Sequence, residues 1–232
     1  MITRSRLRRW HVWLGWVIAL PILFWTVSGV IMVIRPIEVV RGTGLLSEPK
    51  PVRLTAPVVT PSIEGVSLTS LSLEQRASGP RWVVALPGGT TRLADPATGA
   101  LLPPLSAADA AREVTARYTG KAKVKQATRT DADNPPLDLR RPIAAWQVRM
   151  DDGTNFYVDA GSGEVVARRT RWWRFYDWMW GLHIMDLQTR EDTHHPWIVI
   201  FGIVALITTL LALVMLPLTG KRRTRSPKPA DQ

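Results

Sequence analysis

The side chains best suited to chemistry are four imidazoles, His11, His183, His194 and His195, and their placement is uneven. None falls in the long polar middle of the chain. Each lies beside one of two apolar stretches, which chance placement would not favour. Neutral imidazole is an axial ligand for haem iron, and a pair of them leaves no open coordination position, which suits electron transfer. Plainer uses stay open. A histidine at the end of an apolar helix packs at the interface or caps the helix, and His194 and His195 directly precede Pro196, a residue favoured in a first helical turn. Glu191 and Asp192 beside His194 read more readily as side chains solvated by water than as metal ligands.

Other chemistries have little to work with. The absence of cysteine excludes disulfides, thiolate metal sites, thiol redox and covalent haem attachment. There is no phosphate loop, no His-Glu-x-x-His and no nucleophile elbow. Asp151-Asp152 belongs to a turn, and Asp131, Asp133 and Asp138 lie in a Pro-rich loop expected to be solvated. No catalytic residue is assigned, and no metal other than a haem iron.

The elements that must position the histidines begin with two apolar segments. Residues 14–34 run for 21 positions without a charge, and residues 197–219 for 23. At about 1.5 Å per residue each covers roughly 30 Å, the hydrocarbon thickness of a bilayer. Arg4, Arg6, Arg8 and Arg9 give the first segment a signal-like start. Its apolar run exceeds an ordinary h-region and no small-x-small site follows, so an uncleaved anchor is expected. The two short flanks, 1–13 and 220–232, carry nine basic residues and one acid, leaving only +3 of the net +11 for the rest. By the positive-inside rule both termini are expected in the cytoplasm. The basicity is then a topology signal, and nucleic acid is not an expected partner.

Between the spans, residues 35–61 read as an extended lead, and two similar half-units follow, 62–102 and 106–168. Strand candidates 81–86 and 90–93 flank Pro87-Gly88-Gly89, and 145–150 and 154–158 flank Asp151-Asp152-Gly153. Each hairpin leads into Asp-x-x-[Thr/Ser]-Gly, at Asp95 and again 64 residues later at Asp159. In this repeat Asp accepts backbone N–H bonds and Gly takes positive φ. Ser106 and Asp109 cap a helix predicted over 106–118, stopped by Gly120. Residues 171–196 form a Trp- and His-rich segment, expected at the interface, in which Trp172, Tyr176, Met179 and His183 share a face. In the first span His11, Gly15, Ala19, Thr26 and Gly29 share an arc of about 80°, a small-residue stripe that admits a neighbour closely. Pro21 should kink that helix.

The opening Arg9-Trp10-His11-Val12-Trp13-Leu14-Gly15, the helix and hairpin ending Tyr157-Val158-Asp159 and Ser162-Gly163-Glu164-Val165, and Gly181-Leu182-His183-Ile184-Met185-Asp186 before the last span occur in this order. Together they resemble the PepSY-associated transmembrane family. The resemblance implies two transmembrane α-helices flanking an extracytoplasmic α+β PepSY-like domain (35–170) of antiparallel hairpins and a helix, in a bacterial inner membrane. Larger, four-span members resemble ferric-siderophore reductases carrying b-type haem between transmembrane histidines; this chain has two spans. With histidine placement, the resemblance implies haem b on His11, His183, His194 or His195, transmembrane electron transfer, and reduction of a ferric chelate in iron acquisition. His11 lies roughly 30 Å across the bilayer from the other three, so they cannot share one iron. An outer haem would use His183 with His194 or His195, an inner one His11 from two protomers of a homodimer or from another membrane subunit. The rival expectation is a non-enzymatic tethered module whose domain holds a periplasmic peptide, or an accessory subunit of a larger envelope complex.

Overall fold

A computed structural model of the chain describes residues 4–65 and 67–219. The basic tail expected at 220–232 lies outside the described residues. The chain divides into two compact units, Arg35–Phe175 and the combination of Met1–Ile34 with Tyr176–Gln232.

In the first unit two antiparallel meanders carry the predicted hairpins. One sheet runs β1 (Ser70–Arg76), β2 (Gly79–Ala85), β3 (Thr91–Ala94); the other runs β4 (Val124–Thr130), β5 (Ala145–Met150), β6 (Asn155–Asp159), β7 (Val165–Arg169). The registers Val83↔Leu93 and Val148↔Phe156 set apolar side chains opposite one another. With Ala110 and Val114 of α3 (Ala107–Thr115), these residues form one core shared by both sheets. A second cluster, Leu139, Ala145, Tyr157 and Ala167, covers the other side of the four-stranded sheet. β6 is therefore buried on both faces, which explains its run of apolar residues.

Both repeated turns form as the sequence predicts. The Asp95 carboxylate accepts the N–H of Ala97, and that of Asp159 accepts those of Gly161 and Ser162. Gly99 and Gly163 take φ of 71° and 73°. Asp159 also accepts the Thr91 hydroxyl at 2.9 Å, tying the half-units together. Ser106 and Asp109 make the reciprocal capping box, and hydrogen bonds from Ser106 hold the Asp109 carboxyl below its ordinary range.

Three expectations differ. Residues 37–41 form a short helix, α2 (Ile37–Arg41), closed by Gly42 at φ 63°, where an extended lead was expected. α3 ends at Thr115 rather than 118. Arg117 and Thr119 instead bond to Ser47 and Leu45, and the Tyr118 ring meets Phe156 edge-on at 5.7 Å. Asp138 is not merely solvated: its carboxylate accepts the hydroxyl of Tyr157 at 2.5 Å, and burial with this bond raises the phenol.

The second unit contains α1 (Arg4–Val33), unbroken through Pro21, and α5 (Pro196–Thr219), with Pro196 as its first residue. Between them in sequence lies α4 (Arg171–His183), whose first turns belong to the other unit. α1 buries only Ile18 and Ser28, and no residue in the apolar window of α5 is buried. Trp16 is 79 % exposed and Leu216 64 %. A core helix of a water-soluble domain hides such residues, whereas a helix solvated by lipid does not. Two helices long and apolar enough to cross a membrane thus flank an antiparallel α+β domain, the plan of a membrane-anchored protein.

Candidate functional site

α4 ends on His183, and the site is built around that ring. Its Nδ1 lies 3.1 Å from the Trp25 carbonyl oxygen and 3.1 Å from Ser28 Oγ, whose hydroxyl donates to the same carbonyl at 2.9 Å. A carbonyl only accepts, so Nδ1 carries the hydrogen and a neutral His183 keeps its lone pair on Nε2. The imidazole lies flat on the Trp25 indole, with centroids 4.6 Å apart and planes 19° from parallel. A Cβ on Gly29 would stand 3.1 Å from His183 Cε1, so a glycine there lets the ring approach the helix backbone. Ser28, fully buried, is the polar residue that α1 spends at this point.

This seat is on the apolar stretch of α1 itself. Trp25 and Gly29 belong to the apolar stretch 14–34, and His11 is 17 residues back along α1 from Ser28, about 25 Å away. The reason is the small-residue stripe: its Gly29 end receives the ring, while nothing lies within 4 Å of a Cβ at Gly15.

The chain after His183 is held by one carboxylate. Asp186 accepts the N–H groups of Gln188, Thr189, Glu191 and Asp192 at 3.0–3.2 Å, and the Thr189 hydroxyl as well. That hydroxyl bond, with the backbone donors, holds its carboxyl well below the ordinary range. Asp177 and Arg190 pair at 2.8 Å, and Trp180 Nε1 donates to the Arg190 carbonyl. Gly181 is required here, since its Cβ would meet Arg190 Cγ at 2.7 Å and the Asp186 carbonyl at 2.8 Å. Loop backbone beside apolar helices is tolerable only with its donors satisfied, and Asp186 satisfies four of them.

The loop delivers His194 and His195 to the start of α5. His194 is exposed, its N–H on the Asp192 carboxylate and its Nδ1 3.3 Å from Thr193 Oγ1. The His195 carbonyl accepts from Ile198 and Val199, opening the helix, and its Nδ1 is buried without a hydrogen-bond partner. His11 Nδ1 is likewise buried and unpartnered. His195 precedes Phe201 by about 9 Å of helix, and the Phe201 ring stands 6.1 Å from that of Trp25. The three later histidines therefore share one end of the unit and His11 occupies the other. Beside Trp25 an apolar cleft of about 460 Å³ opens, walled by Val17, Pro21, Leu182, Met185 and Phe201 among others.

No family model matches the chain, and no curated protein or solved structure is detectably similar to it. The PepSY resemblance therefore rests on the residues quoted for it. For haem, the fit is judged on the donors themselves. A ligating histidine characteristically donates its other ring N–H to a carbonyl or carboxylate, and His183 does so beside an apolar cleft, which suits a porphyrin. Its ring and hydrogen-bond partners are Trp25 and Ser28, with no second imidazole among them. The residues thus fit one axial ligand at this level. Among the described residues no group of three or more His, Cys, Asp or Glu is disposed to hold a bare metal ion, and Glu191, Asp192 and His194 make none.

Sequence reasoning singled out His183 but not its seat. The one serine hydroxyl inside the charge-free stretch 14–34 was the available signal. Nothing in the spacing of Asp177, Asp186 and Arg190 announced the loop they hold.

Proposed function

We propose that this is a PepSY-type protein of the bacterial inner membrane, cytoplasmic at both ends with its α+β domain in the periplasm, serving haem-linked transmembrane electron transfer to a ferric chelate. The observation that carries the reading is the His183 ring, held through Nδ1 against the Trp25 carbonyl and the Ser28 hydroxyl so that Nε2 is left for a ligand. Haem b, when bound, would supply a one-electron iron couple held by His183 on one side. The chain's own part is to fix the imidazole through Trp25 and Ser28, and to keep water away with the apolar cleft wall. A homodimer or partner subunit would complete the pair, with a second His183, His194 or His195 at this end and His11 of both protomers at the other.

The test is a reduced-minus-oxidised visible spectrum of the protein, purified in mild detergent from haem-replete cells. A b-type α-band that disappears on His183→Ala supports the reading. A flat baseline from folded, haem-supplied protein refutes it.

One observation favours the tethered binding module. Glu113 is 7 % exposed, and both its carboxylate oxygens accept the Ala77 N–H at 3.0–3.1 Å. Burial raises its pKa, and it lines a pocket of about 280 Å³ with Arg81, Arg112 and Leu102. A buried carboxylate in a mixed groove beside a helix suits an extended peptide. Peptide capture indifferent to the histidines, and lost on Glu113→Ala, would favour this reading.

A further inference from the structure

From the arginines gathered where the α+β unit begins and ends, we infer a binding site for anionic phospholipid headgroups in the leaflet that faces this domain. Arg35 directly follows the apolar stretch 14–34, so it stands where that helix leaves the hydrocarbon. Its guanidinium lies 4.4 Å from the centroid of the Trp172 ring. Trp172 opens α4 together with Arg171 and Arg174, and that helix has no acid in its first turn. Two cations at the positive end of a helix dipole are poorly placed for the helix itself, where an anion would be favoured.

Arg168 joins them from the end of β7. Its guanidinium donates to the Thr43 carbonyl at 3.4 Å, and that of Arg174 donates to the Arg169 and Gly153 carbonyls at 3.0 and 2.6 Å. Arg171 Nε lies 2.7 Å from where a Cβ on Gly153 would be, so the β5–β6 turn, the β7 end and the helix start converge. Arg35, Arg168, Arg171 and Arg174 are thus held by carbonyls, an indole face and close backbone, and among the described residues none pairs with a carboxylate. Two acids on loops that meet this junction are otherwise engaged. Asp138 takes the Tyr157 hydroxyl, and Asp152 takes the Thr154 N–H.

Charge of this sign on this side runs against the flank bias that orients the chain, so topology does not explain it. Phosphodiesters do. Guanidinium binds phosphate oxygens in bidentate fashion, and indole rings sit at headgroup depth. Each arginine near an anionic surface contributes about fivefold in binding.

The test uses the full chain in detergent micelles, titrated with phosphatidylglycerol or phosphatidylcholine and followed by tryptophan fluorescence. Arg35→Gln/Arg171→Gln is the first variant, since both residues are exposed and donate no hydrogen bond that folding needs. Circular dichroism confirms that it folds. Wild type should prefer phosphatidylglycerol, and the double variant should lose about 25-fold in that affinity, with inorganic phosphate or glycerophosphate failing to compete. Equal affinity for the two lipids overturns the inference. So does an unchanged double variant, or full competition by inorganic phosphate, which would mark a soluble-phosphate site.

Discussion

Replacing Gly29 tests the His183 seat directly, because Gly15 on the same helix provides a matched control. At Gly15 an added Cβ meets nothing within 4 Å, whereas at Gly29 it stands 3.1 Å from His183 Cε1. Gly15→Ala should stabilise the helix by up to about 1 kcal/mol from propensity alone. Gly29→Ala gains the same propensity but presses the ring outward by a few tenths of an ångström, so the two effects should nearly cancel. Gly29→Leu cannot keep the ring in its seat. It forfeits the Nδ1 hydrogen bond, about 0.6–1 kcal/mol in a membrane setting, and the Trp25 stack, about 0.5–1.5 kcal/mol. Leaving the Trp25 carbonyl and Ser28 hydroxyl with one partner fewer adds about 1 kcal/mol. Against a propensity gain of under 1 kcal/mol, the net loss should be about 2 kcal/mol, a shift of roughly thirtyfold in the folding equilibrium. Reversible unfolding in mixed micelles, followed by tryptophan fluorescence, measures it. Equal effects of Gly29→Leu and Gly15→Leu would refute the packing of His183 on α1.

Two further outcomes are expected. Gly161→Ala puts a Cβ 2.1 Å from the Thr91 carbonyl oxygen, so β3 must move and the Thr91–Asp159 bond must break; a loss of about 3–5 kcal/mol is expected in thermal unfolding, and an unchanged midpoint would contradict the junction. Asp186 has a depressed folded-state pKa, so its stabilisation is present above the unfolded value of about 3.9 and is lost as pH falls from there toward the folded value; Asp186→Asn should be less stable at neutral pH and show a shallower acid slope, and parallel pH profiles of the two proteins would count against the loop as described.

The hairpins were legible because two-residue periodicity met unambiguous turns at Pro87-Gly88-Gly89 and Asp151-Asp152-Gly153. β4 was not, since it lies at a sheet edge with Lys125, Gln126 and Arg129 facing water and so has no apolar alternation to read. β1 was missed as well; its partner β2 covers it with Trp82 opposite Leu73, a pairing that only the fold reveals. The end of α1 and the start of α5 could be read to within a residue, whereas α1 begins at Arg4, ten residues before its apolar stretch, because arginine is a good helix former and does not stop a helix. The site was legible in part. His183 stood out by its position, but its partners Trp25 and Ser28 lie more than 150 residues away, and no local pattern encodes a contact across that separation.

The two meanders carry a consequence for biogenesis. Every ladder joins strands adjacent in the chain, β1 to β2 to β3 and then β4 through β7, so no strand waits for a partner made much later. A polypeptide synthesised from its N-terminal end can complete the three-stranded sheet while the four-stranded one is still being made. Short sequence separation keeps closure entropy small and folding fast. The segment between the apolar helices then spends little time with open strand edges exposed to proteases, and both sheets can be closed before the last apolar helix is made.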